Sequence, residues 1–208
     1  VAQLKGEKAN AVMSWFRTCN VVSGINSEGY EGFTLRMFLT HQAEAEQAQE
    51  FFKDLQLGFT RFSVKEVDLP KEMIEKAPNS IKSMLEKDSL SGSFLEPITT
   101  HNIYDEDGVV IGERDFQKNK MESEGTKKVI EMSGPIFDTL KDGKTLIVDE
   151  LDAKLHPILT RNIVLLFMDP HRNPNGAQLI FATHDTNLLD LDVVRRDQKS
   201  RFKFFAEV

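Results

Sequence analysis

The sequence predicts an α/β protein: a mostly parallel sheet flanked by helices, with a helical and β-stranded insertion. Three observations carry this. Thr145-Leu146-Ile147-Val148 is apolar without alternation, as expected of a strand buried on both faces of a parallel sheet. Residues 177–182 form a second run of this kind. Between them, residues 157–167 read as a helix with Pro157 in its first turn, and another helix is expected from Thr186, so 142–190 reads strand, helix, strand, helix.

The upstream elements follow in order. Residues 9–16 read as a helix and 19–23 as a short strand ending at Gly24. Residues 41–57 place Ala45, Ala48, Phe51, Phe52 and Leu55 at helical spacing under a polar outer face. Residues 59–69 alternate through Phe62, Val64, Val67 and Leu69, predicting a strand. Residues 70–87 read as helix interrupted at Pro78. Residues 98–104 and 109–116 flank Asp105-Glu106-Asp107-Gly108 and predict a hairpin. Residues 122–140 predict a helix broken or bent near Gly134-Pro135, and Asp142-Gly143 ends it with a glycine stop.

Composition bounds the function. The 208 residues suffice for one domain or slightly more. Lys plus Arg total 26 against 33 Asp plus Glu, a net charge of −7, so nucleic-acid binding is not indicated by charge. Cys19 is the sole cysteine, which excludes an intrachain disulfide and a Cys-based zinc site and fits a cytoplasmic location. The longest apolar run is 163–168, far short of the ~20 residues that span a bilayer. Val1-Ala2-Gln3-Leu4-Lys5 lacks the basic and apolar regions of a signal peptide.

The chemistry concentrates at strand ends. Leu146-Ile147-Val148-Asp149-Glu150 is an apolar strand ending in two carboxylates, and parallel sheets bind ligands at the carboxyl ends of their strands. Asp149 there suits Mg²⁺, which prefers oxygen ligands, and Glu150 can orient an attacking water. Alone, such a dipeptide would merely begin a loop. Here Asp152 follows, His156-Pro157 opens a helix, and the next apolar strand ends in Thr183-His184-Asp185. A histidine at that point can reach the same crevice and donate to a phosphate. Upstream, Ser123-Glu124-Gly125 precedes a helix, where free N–H groups attract anions; the plainer role for Ser123 is an N-cap, and the two are compatible. His41, His101 and His171 read as isolated.

Ser-Glu-Gly before a helix, apolar-Asp-Glu-Leu-Asp, then Ala-Thr-His-Asp resembles the head of ABC-type ATPases. The wider text (Glu-Ser-Glu-Gly-Thr-Lys-Lys, Val-Asp-Glu-Leu-Asp-Ala-Lys-Leu-His-Pro, Gly-Ala-Gln-Leu-Ile-Phe-Ala-Thr-His-Asp-Thr, Arg195-Arg196-Asp197-Gln198) resembles bacterial OLD-like, AbiL-type AAA ATPases, relatives of the SMC heads. Gly29-Tyr30-Glu31-Gly32-Phe33-Thr34-Leu35 extends the likeness more loosely. The resemblance implies an ABC-type P-loop NTPase head using ATP and Mg²⁺. Asp149 would hold the metal, Glu150 would position or deprotonate the water, and His184 would contact the γ-phosphate. Ser123, Glu124 and Gly125 would complete a partner head's site in trans, and Asp152 would serve as the D-loop acid. A homodimer or higher oligomer, a separate nuclease or toxin effector and a role in anti-phage defence are implied with it. The corresponding division is 1–40 as ATPase core, 41–97 as an insertion, arm or lid, 98–198 as the C-terminal ATPase lobe, and 199–208 as a terminal strand or tail.

One part of that machine is missing. No Gly-x-x-x-x-Gly-Lys-[Ser/Thr] phosphate loop occurs; Gly143-Lys144-Thr145 is a decoy, with Asp138 where the first glycine belongs. The expectation is therefore a C-terminal part of a longer ATPase, with a naturally split or degenerate protein as the alternative. A degenerate chain would act as a scaffold or sensor that hydrolyses nothing. A TOPRIM-like metal nuclease fits less well, because Asp149 and Asp152 are three apart where that pattern needs two.

Overall fold

The computed structural model describes residues 6–68 and 93–189. Leu69, the helix expected over 70–87, Arg195 to Gln198 and the 199–208 tail lie outside the described residues. The described residues contain six strands: β1 (Cys19–Ser23), β2 (Arg61–Asp68), β3 (Ser93–Tyr104), β4 (Val110–Gln117), β5 (Thr145–Asp149) and β6 (Gln178–Phe181). The chain forms two compact units, one from Val1–Gly29 with Pro135–Val208 and the other from Tyr30–Gly134.

The first unit is built on a parallel sheet in the order β1-β5-β6. The turn after β5 and the helix Pro157–Met168 supply the crossover that parallel neighbours require. β5 is central; Leu146 and Val148 on one face are fully buried, while Ile147 on the other is half-buried, less than its unbroken apolar text predicts. Ile163, Val164, Leu166 and Phe167 of that helix are also buried. β6 departs from expectation. It reads as a second buried strand, yet Gln178 and Ile180 are exposed: Ile180 lies in register with Ile147 and Val21, on the face of the sheet that the described residues leave partly open. An apolar run alone does not tell which face of its sheet is covered. After β6 the expected helix is only a 3₁₀ turn, Thr186–Leu189, within the described residues.

The second unit is an antiparallel sheet, β2-β3-β4, with helices Glu31–Thr40 and Gln42–Asp54. The β3–β4 hairpin forms at the predicted turn. Asp105 Oδ1 accepts the Asp107 and Val109 N–H groups, and Gly108 takes a φ of 77°. Phe52 packs edge-on against Phe59 and Phe62, and Phe38 stacks on Phe52. Ala48, Phe51 and Phe52 are buried, the face their spacing predicts. Gln49 pairs with the backbone of β2, its amide accepting the Phe62 N–H and donating to the Phe62 carbonyl. Those backbone groups lie on an edge strand, where unpaired ladder positions otherwise invite foreign strands. The helix Glu31–Thr40 carried no periodic signal strong enough to predict it.

The helix Glu124–Asp142 corrects a second expectation, since it runs unbroken through Gly134-Pro135. Pro135 has no N–H to give to the carbonyl four residues earlier, that of Glu131. The Thr34 hydroxyl, fully buried, donates to that carbonyl instead at 2.6 Å and accepts the Gly134 N–H at 3.1 Å. A side chain distant in sequence thus supplies the missing donor. Gly143, at a φ of 63°, follows the helix as predicted.

Candidate functional site

β5 delivers Asp149 at its carboxyl end, and the chain then turns sharply. Glu150 adopts a φ of 52°, a left-handed conformation that costs a residue with a Cβ about 1–2 kcal/mol. Leu151, completely buried, donates its N–H to the Ala182 carbonyl at 3.0 Å, and Ala182 donates to the Val148 carbonyl at 3.0 Å. These bonds bring the ends of β5 and β6 side by side. Ala153 N–H then closes a turn onto the Glu150 carbonyl at 3.1 Å.

Asp152 ties the two strand ends together. Its Oδ1 accepts the His184 N–H at 3.1 Å, and the Thr183 hydroxyl also bonds its side chain. Partial burial works to raise its pKa, but the Thr183 hydroxyl, the N–H groups of Asp152 and His184 and the His184 imidazole outweigh it, so the carboxyl is held below the usual range. Asp152 is therefore ionised and committed to the loop of His184. Asp185 shapes the same loop: its N–H bonds Thr183 Oγ1 at 3.0 Å and its Oδ1 accepts the Asn187 N–H at 2.9 Å. The result is that Asp149, Glu150, Asp152 and His184 stand together at the carboxyl ends of β5 and β6. Asp149 and His184 are exposed, and Glu150 is half-buried.

Asp149 suits a magnesium ion. Its carboxylate is exposed and takes no hydrogen bond among the described residues, and Mg²⁺ commonly binds one or two carboxylates plus waters and substrate phosphates. Among the described residues no three His, Cys, Asp or Glu side chains gather into a metal cage. His156 is a helix cap, its Nδ1 accepting the Ile158 N–H at 3.3 Å. Gly143-Lys144-Thr145 behaves as a decoy: Lys144 bonds Asp142 at 2.7 Å and Asp138 at 3.2 Å, at the end of β5 opposite Asp149.

Ser123, Glu124 and Gly125 lie in the second unit, at the start of the helix Glu124–Asp142. Ser123 is exposed and caps it, its Oγ accepting the Thr126 N–H at 3.2 Å; Glu124 pairs with Lys127 at 2.9 Å. The residue before Ser123 is held more firmly. Thr99 Oγ1 and His101 Nε2 both reach one carboxylate oxygen of Glu122 at 2.7 Å. His101 is therefore not isolated, a correction that needed β3 and the residues before the helix to be placed in space.

Gly24 is the residue the sequence marks least. Its N–H donates to the Asp149 carbonyl at 2.7 Å, extending the β1–β5 ladder one step past Ser23↔Asp149. A side chain there would overlap the Glu150 carbonyl oxygen and lie 2.6 Å from the Asp149 carbonyl oxygen. Its only legible signal was a glycine closing an apolar strand.

No curated protein matches this chain. A family model described as "AAA domain, putative AbiEii toxin, Type IV TA system" matches residues 41–190, which include the candidate signature, the Asp149-Glu150 strand end and His184. Among the described residues no helix is long and apolar enough to cross a membrane. With the family model covering well over half of its length, and with a parallel sheet flanked by helices, the chain belongs to this AAA-domain family of ATPases.

Proposed function

We propose that the chain is part of an ATP-binding and ATP-hydrolysing head of the OLD-like, AbiL-type kind. In this reading it dimerises on nucleotide and controls a separate nuclease or toxin effector in bacterial anti-phage defence. The observation that carries it is the junction of the β5 and β6 ends, where Asp152 is spent on fixing the His184 loop while Asp149 and Glu150 stand at the strand end. Glu150, half-buried on a backbone locked by its neighbours, orients or deprotonates the attacking water. His184 donates to the γ-phosphate. Asp149 holds Mg²⁺, which when bound neutralises charge on the β- and γ-phosphates. Ser123, Glu124 and Gly125 complete the site of a second head in trans, at a helix start where free N–H groups favour an anion. Asp152, bonded to the His184 loop, couples hydrolysis to the dimer partner.

The test is Glu150→Gln in the full-length protein. It should trap an ATP-bound dimer, read by size-exclusion chromatography, with turnover lowered at least a hundredfold. Normal turnover would refute the base assignment.

The alternative is a scaffold or sensor that binds partners and hydrolyses nothing. ATP binding by the native protein, measured calorimetrically, separates the two. The TOPRIM-like nuclease loses support because the second acid it needs, Asp152, already serves Thr183 and the His184 N–H.

A further inference from the structure

We infer that Gly24 is the positioning residue for Glu150, and that the absence of a side chain at residue 24 sets the geometry of the hydrolytic base. The inference rests on the reading of Glu150 as that base. Glu150 occupies the left-handed region at a φ of 52°. A residue with a Cβ stays there only when its surroundings over-determine it. The surroundings are specific. The Glu150 carbonyl accepts the Ala153 N–H at 3.1 Å on one side. On the other, the backbone of Gly24 lies so close that a Cβ would overlap the Glu150 carbonyl oxygen and sit 2.6 Å from the Glu150 carbonyl carbon. The Gly24 N–H holds the preceding carbonyl, that of Asp149, at 2.7 Å. Both peptide units that orient the Glu150 side chain are thus pressed against, or bonded to, one glycine. The atoms a side chain would meet are backbone atoms, which cannot swing aside as the end of a flexible side chain can. Any residue but glycine at position 24 must rotate the peptide that follows Glu150. Gly29, six residues after β1, has no atom within 4 Å of where its Cβ would stand, so it is the natural control.

The experiment measures steady-state ATP hydrolysis by the full-length protein and its Gly24→Ala, Gly29→Ala, Glu150→Gln and Gly24→Ala/Glu150→Gln variants. Expected are a kcat at least tenfold lower for Gly24→Ala with KM for ATP within twofold of wild type, and wild-type kinetics for Gly29→Ala. The double variant should be no slower than Glu150→Gln alone, because a residue acting through another has nothing left to act on. If Glu150→Gln abolishes turnover but Gly24→Ala turns over like wild type, the inference falls and the base assignment stands. If Glu150→Gln itself turns over normally, the base assignment falls and takes the positioning role with it. Should Gly24→Ala not fold, pairing it with Glu150→Gly must restore a cooperative thermal transition, since glycine at residue 150 lets the blocked carbonyl turn away. Failure of that pair to recover would overturn the inference.

Discussion

Thr34→Val isolates the bond that lets a proline sit inside the helix Glu124–Asp142. Valine matches threonine in shape and removes only the hydroxyl that donates to the Glu131 carbonyl at 2.6 Å. Thr34 is fully buried, so no water can replace it without opening the packing. Leaving a buried acceptor unpaired costs about 1–3 kcal/mol. The Gly134 N–H, which also bonds Thr34 Oγ1, places the loss towards the upper half of that range. We expect about 2 kcal/mol, a fall in Tm of roughly 4–8 °C at this chain length. Pro135→Ala gives residue 135 an N–H that can reach the same carbonyl. It should be close to neutral alone and should recover at least about 1 kcal/mol in the Thr34→Val background. Urea unfolding of the four proteins, followed by circular dichroism at constant m-value, measures the coupling. Strictly additive effects would refute the reasoning, because they would mean that hydroxyl and proline do not share the Glu131 carbonyl.

Two further predictions follow from buried or ionised side chains. Lys118, fully buried, pairs with Glu31 at 2.8 Å and Glu131 at 2.7 Å, so Lys118→Met removes the cation that both carboxylates share and should cost about 3 kcal/mol in urea unfolding. A loss below about 1 kcal/mol would show that the triad does not hold this unit together. The Asp152 carboxyl is held below its ordinary range in the folded chain. Its contribution to stability is therefore complete above its unfolded pKa of about 3.9 and is lost as the pH falls through the lower, folded value. The stability gap between wild type and Asp152→Asn should be constant at neutral pH and close only in that acid range. A gap that closes near pH 6–7 would assign it to histidine instead.

What the sequence disclosed and what it withheld differ by the range of the interaction involved. β5, its terminal Asp149-Glu150 and the His184 loop were legible, because an unbroken apolar run and the acids after it are neighbours along the chain. The turn at Asp105–Gly108 was legible for the same reason: Asp105 bonds the N–H groups two and four residues on. The continuity of the helix through Pro135 was not, since the compensating hydroxyl comes from Thr34. The exposure of Ile180 was not, because whether the face it shares with Val21 and Ile147 is covered depends on residues distant in sequence. Gly24 was hardest: its requirement comes from the Glu150 carbonyl, across the β1–β5 ladder.

Ionic side chains in the two units are used in different ways. In the second unit the buried ionic side chains are occupied: Lys118 by Glu31 and Glu131, and Glu122 by Thr99 and His101. That is what low polarity demands, because a buried charge without a partner is costly. In the first unit Asp152, His156 and Lys144 likewise spend polar atoms on turns, caps and ion pairs, whereas Asp185 uses Oδ1 on Asn187 and leaves its buried Oδ2 without a hydrogen bond among the described residues. The exposed carboxylate of Asp149 accepts no hydrogen bond among the described residues, while the backbone that carries it is fixed by Gly24 and β1. Glu150 goes further and bears a strained φ of 52° for no hydrogen bond from its own side chain among the described residues. Asp149 is exposed and Glu150 half-buried, so water completes their hydrogen bonds and both carboxylates stay accessible, as the reading proposed above needs. The same difference separates Asp149 from Asp152. A metal site that needs both acids would first have to break the bonds that Asp152 makes to the Thr183 hydroxyl and the His184 N–H.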